Sequence, residues 1–265
     1  MRQMPTRVRR VAYDAGVMNT QTPREVVTEA RTHPRLASGD DERFAGYGVM
    51  GLPFESGHYL ALRDMVASSI GPTYRSVWHR DPRGHWTLYT TTEPDQSCPR
   101  YFGAGATTRR VPAINVGWTD DRTFEVTMGD MLRWTVELAS SPATRLMTTL
   151  SGATPNAAWR SRTVLHAIGP MATLMLHAGR IRMCARTPNG PQFRGTPLYV
   201  WRVVDSRAWL EGETFGPPAP LDEQISIGDI PLPQRGLFFV GRSAFDAPAV
   251  ADDTTHAVTD TGVRT

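Results

Sequence analysis

The densest run of reactive side chains lies between residues 73 and 103, TYRSVWHRDPRGHWTLYTTTEPDQSCPRYFG. His79 and Asp81 stand two apart in it, a spacing that projects both to one face of an extended strand. There an imidazole oriented by a carboxylate acts as a general base. The following EPDQSCPRY, residues 93–101, brings together Glu93, Cys98, Arg100 and Tyr101. A guanidinium and a phenol of this kind hold a carbonyl or carboxylate and stabilise a developing oxyanion. The candidate catalytic set is therefore His79 as base, Asp81 as its orienter, and Arg100 and Tyr101 as stabilisers. Its chemistry would be acid/base and cofactor-independent, of the isomerase, dehydratase or cyclase type.

Each of these residues also has a quieter reading. Asp81-Pro82-Arg83-Gly84 suits a type I turn, with Asp81 serving only to hold it. Alternation places Tyr74, Ser76 and Trp78 on one face and Arg75, Val77 and His79 on the other, so a Trp78 that faces an interior leaves His79 outside it. Cys98 is a nucleophile only with an adjacent base and a lowered thiol pKa; otherwise it is structural. Arg100 and Tyr101 read equally as a surface arginine and a packed tyrosine. His58 opens GHYLALRD and shares a face with Leu60, Leu62 and Asp64, the pattern of a core histidine as much as of a ligand contact.

Other chemistries are excluded or unsupported. All 29 basic residues are arginine, so Schiff-base, pyridoxal-phosphate and P-loop lysine mechanisms have no lysine to use. Cys98 and Cys184 are too few and too distant for a zinc motif, and His166 and His177 lack intervening carboxylates, so no metal is expected. Gly103, Gly105 and the TTRR after them lack the third glycine of a dinucleotide loop. No cofactor is expected. The net charge of +3 is spread among alternating signs, which argues against nucleic acid as a partner. Asp14, Asn19 and Gln21 interrupt any signal-peptide core, and the most apolar stretch, 164–178, falls short of the roughly 20 residues of a membrane span. A soluble cytoplasmic protein is the expectation.

The elements that must position these groups are mostly strands. Phe124, Val126 and Met128, then Leu132, Trp134, Val136 and Leu138, alternate with polar residues about Gly129-Asp130 and predict a hairpin. Residues 74–80 with 85–91, and 180–186 with 196–204, predict two more, with further strands at 58–66, 113–118, 206–211 and 236–243. A helical insertion is expected at about 143–178, capped by Ser161 or Thr163 and bent by Pro170. Residues 1–42 and 247–265 read as flexible tails around a body at 43–246. About nine short strands with one helical excursion predict a mainly β fold, an antiparallel barrel that encloses a cavity. Tryptophans on strands and methionines on the insertion suit a small, largely apolar molecule. Its candidate contacts are His58, Tyr74, Trp78, Trp86, Glu93 and Trp134. The alternatives to an enzyme are a non-catalytic carrier or sensor of apolar ligands and a protein-interaction module.

SVWHRDPRGHWTLY with SCPRYFG, and RTPNGPQFRGTPLYVW with GPPAPL, resemble a family pattern in actinobacterial proteins to which no activity attaches. The layout is similar to lipocalin-like barrels and, more loosely, to acetoacetate decarboxylases. That second resemblance implies a Schiff-base lysine, and this chain has none.

Overall fold

The computed structural model describes residues 21–246. The chain begins there with α1 (Pro23–Thr32), β1 (Glu42–Val49), β2 (Leu52–Pro53), β3 (Tyr59–Ser68), β4 (Tyr74–Arg80) and β5 (Trp86–Thr90). After a short α2 (Pro99–Phe102) come β6 (Ala106–Arg110), β7 (Asn115–Trp118), β8 (Thr123–Met128) and β9 (Leu132–Ala139). The helices α3 (Pro142–Ala153) and α4 (Arg162–Leu176) then precede β10 (Cys184–Arg186), β11 (Gln192–Leu210) and β12 (Glu213–Thr214). The last elements are β13 (Ser226–Ile227), β14 (Ile230–Pro231) and β15 (Leu237–Phe245).

Thirteen strands form one sheet whose main path runs β6-β5-β4-β3-β1-β15-β11-β9-β8-β7. All neighbours are antiparallel except β5 and β6, so the sheet is mixed. The expected barrel does not close, because edge strands β6 and β7 form no ladder with each other. The four residues Val111–Ile114 nevertheless join those two edges, and such a link spans at most roughly 17 Å. The sheet is therefore coiled nearly into a ring. Two features keep the slit open: Pro112 offers no N–H, and β6 carries Arg109 and Arg110, charges of the kind that blunt an edge strand. Arg109 meets Glu211 across the opening at 3.6 Å.

Alternation decides what each face does. The concave face is packed solid with side chains from nearly every strand, among them Tyr47, Leu60, Leu62, Val77, Phe124, Trp134, Trp201 and Phe238. This overturns the expectation of a hollow interior. Its physical cause is the size of those residues: aromatic rings from opposite sides of the coil meet in the middle, as Phe124 and Phe238 do at 5.5 Å between centroids. Within the expected N-terminal tail, α1 closes one end of the coil. Thr22 and Glu25 form a capping box with Pro23 in the first turn, and Val26 and Val27 are buried against the sheet. Arg31 of α1 donates to Asp64, which also accepts from Tyr47 and from Arg75 Nε at 2.8 Å. Residues 1–20 and 247–265 of the expected tails lie outside the described residues.

The opposite, outer face is covered by α2, by the segment around β13 and β14, and by the helical layer. Ser141 and Ser161 cap α3 and α4, and α4 continues through Pro170 to end at His177 in the left-handed conformation. The helices fall where the insertion was expected. No helix among the described residues is long and apolar enough to cross a membrane.

Candidate functional site

A cavity opens between the outer face and its cover. On the floor, Gly46 of β1 pairs with Gly241 of β15, so neither strand raises a side chain there. A Cβ at Gly46 would lie 2.1 Å from the Asp64 carbonyl oxygen, so the close approach of β1 and β3 requires glycine. The cavity volume is about 100 Å³, several times what a single water requires.

The walls are aromatic. The cysteine, proline and glycine around α2 set its four residues down so that Tyr101 stacks on Phe245 at 3.7 Å and Phe102 leans on Trp78 at 4.7 Å. Phe44 meets Tyr74, Tyr101 and Phe245 edge-on. Asn189, from the turn before β11, ties this corner down: its side chain donates to Arg100 O at 3.1 Å and accepts from Ala104 N at 2.8 Å.

Few polar groups reach the lining. Cys98 and the Tyr74 hydroxyl lie 3.3 Å apart. Burial pushes both the thiol and the phenol above their ordinary values, so both hold their protons at neutral pH. Trp78 Nε1 approaches the Cys98 sulfur without hydrogen-bond geometry and has no other acceptor. The charged lining residues are Arg63, Arg182 and Arg242, with no aspartate, glutamate or histidine. Arg63 is the innermost. Its Nη1 donates to Val49 O at 2.6 Å and Leu62 O at 2.9 Å, and its Nη2 to Met50 O at 3.2 Å. The guanidinium carbon lies 4.8 Å from the Trp78 ring centroid and 5.5 Å from that of Phe239. Burial lowers the Arg63 pKa.

The expected catalytic residues occupy separate places. His79 lies on the concave side, where its Nε2 meets Nδ1 of buried His58 at 2.9 Å. Both rings stack with Phe215, and His58 Nε2 lies 3.2 Å from Glu213, although not in hydrogen-bond geometry. The type I′ turn Glu211-Gly212, both at positive φ, brings β12 and Glu213 there. Burial first and the His58 charge second lower His79 to about 4. Asp81 does not orient His79. It holds the 81–85 turn, accepting from His85 N at 2.8 Å, with His85 Nδ1 at 3.1 Å. Arg100 and Tyr101 both bind Glu42, at 2.6 and 2.5 Å. Against the upward push of burial, these bonds keep Glu42 below its ordinary pKa.

Among the expected ligand contacts, Tyr74 and Trp78 line the cavity. His58 belongs to the histidine stack, Trp86 packs against Tyr59 at 6.0 Å, and exposed Glu93 pairs with Arg110. Trp134 is enclosed in the concave core, donating to Ser206 Oγ at 2.8 Å. The sequence reading missed Arg63. The available signal was a cation within the stripe Tyr59, Ala61, Arg63, Met65, which occupies one face of β3. No group of three or more metal-ligating side chains is assembled among the described residues.

No family model matches the chain, and no curated protein matches it. Among solved structures, an acetoacetate decarboxylase from Legionella pneumophila subsp. pneumophila str. Philadelphia 1 aligns over 81% of this chain and 89% of its own, with 8% identity and a TM-score of 0.37.

Proposed function

We propose that the protein binds a small, largely apolar molecule in the outer-face cavity, as a carrier or sensor and not as an acid/base catalyst. One observation carries the reading: the cavity walls are aromatic and aliphatic, while the lining holds no histidine or carboxylate. Acid/base turnover needs a group that exchanges a proton near neutral pH. The Tyr74 phenol and Cys98 thiol are held protonated by burial, and a guanidinium does not deprotonate. The two histidines that meet, His58 and His79, are on the far side of the sheet. What remains is recognition by shape and burial, in which apolar area contributes about 25 cal/mol per Å² removed from water.

Titration with a neutral apolar fluorophore, N-phenylnaphthylamine, tests this. Saturable binding to the wild type is expected, and Ser243→Trp, which places an indole in the lining, should abolish it without lowering the melting temperature. Absence of saturable binding, or binding untouched by Ser243→Trp, refutes the cavity as the site.

A further inference from the structure

We infer that the molecule held in this cavity is an organic acid, an apolar body ending in a carboxylate that Arg63 grips. The inference rests on the binding reading above and narrows it to a ligand class.

Three observations converge on it. The first is charge. Arg63 has no carboxylate partner among the described residues, while other inward-facing arginines do: Arg75 meets Asp64, Arg194 meets Asp41 and Asp246, and Arg100 meets Glu42. A buried cation without a counter-ion is an expensive arrangement that protein interiors rarely keep. Arg182 and Arg242 add to the same sign: Arg182 donates to Asp229 O at 3.1 Å and Arg242 to Asn156 at 3.5 Å, both neutral acceptors. Glu42, the carboxylate bonded to the lining residue Tyr101, is already engaged by Arg100 and Tyr101.

The second is hydrogen-bonding capacity. Backbone carbonyls take two bonds from Nη1 and one from Nη2, which leaves Nε–H and the second Nη2–H. These are the donors of a side-on fork, whose spacing matches the two oxygens of a carboxylate. The guanidinium plane is fixed by those carbonyls and by the Trp78 and Phe239 rings, so little freedom is lost when an anion docks. The third is the Trp78 indole N–H. Trp78 lines the cavity and is almost fully buried, and its Nε1 has only the Cys98 sulfur, a weak acceptor out of hydrogen-bond geometry, beside it. Buried donors of this kind are normally satisfied, and an oxygen of the same ligand would satisfy it.

The test compares hexanoate, octanoate and phenylbutyrate with their primary amides by isothermal titration, on the full chain. The wild type should bind at least one acid about tenfold or more tighter than its amide, and Arg63→Met should bring acid and amide together by weakening the acid alone. Since Met50 and Val49 carbonyls lose a donor in that variant, the wild-type acid/amide ratio and its decline with added salt serve as the measurement independent of folding. Acids and amides bound equally by the wild type overturn the Arg63 inference and leave the cavity reading standing. No binding of any of the six, together with no binding of the neutral fluorophore, overturns both.

Discussion

On β3, Leu60 and Leu62 disappear into close-packed neighbours, whereas Arg63 and Met65, on the alternate positions, look across to a cavity. On β4 the same split separates Val77 and His79 from Tyr74 and Trp78. A coiled sheet of this length buries both faces, but only the concave one is forced to fill, because its side chains converge from every direction. The outer face is closed by separate elements resting on it, and their fit leaves space. Stability should thus be concentrated on one side and binding on the other.

The largest test of that division removes a concave side chain. Trp134→Ala empties a fully enclosed site and strands Ser206 Oγ of its donor; a loss of about 3–5 kcal/mol is expected in urea unfolding. Asp64→Ala should cost about as much, roughly 3–5 kcal/mol, by leaving Arg31 and Arg75 without their shared acceptor. A loss below about 1 kcal/mol at either position would remove the concave face from its place as the stabilising side.

Acid titration comes next in size. His79 falls from its ordinary 6.5 to about 4 in the fold because burial, then the His58 charge, disfavours its protonated form. Between those values the unfolded chain binds more protons, so stability should be complete above pH 6.5 and decline as pH falls towards 4, by about 2 kcal/mol. His79→Phe, which keeps a ring against Phe215, should flatten the pH dependence of the melting temperature across that window. A profile identical to wild type would show that His79 is not the group responsible for the acid sensitivity.

The smallest effect belongs to the cavity side. Arg63→Met should leave stability within about 1 kcal/mol of wild type, since the lost carbonyl bonds are offset by relief of an uncompensated buried charge. Differential scanning calorimetry decides this. A drop comparable with that of Trp134→Ala would mean that Arg63 is an internal strut and that the two faces do not divide their labour.

How much could be read from the chain follows from the same geometry. The 123–138 hairpin was legible because its alternation is strict, apolar inward and polar outward. The hairpins at 74–91 and 180–204 were placed by their turn residues, and the helical insertion by its three- and four-residue spacing. β1 escaped notice because Gly46 and Gly48 carry no side chains with which to show alternation. β6 looked like a glycine-loop fragment, since its parallel pairing with β5 gives no local hairpin signature. The TPRE sequence at 22–25 was a sufficient signal for the start of α1. For the site, the 73–103 run did supply cavity-lining residues, Tyr74, Trp78, Cys98 and Tyr101. His79 and Tyr101 are not brought together, because His79 points from β4 to the side opposite its neighbour Trp78, while Tyr101 on α2 lies over the outer face. Arg63 stays hidden in a linear reading: what makes it unusual is the absence of a partner, and partners come from distant segments.

The four-residue link between β6 and β7 has a mechanical consequence. It works as a clasp on an unfinished ring: while it is intact the two rims cannot part by more than its own length, and the aromatic filling cannot spread. A single proteolytic cut at Ala113 would release both rims together and convert a tethered slit into two free, pairing-competent edges.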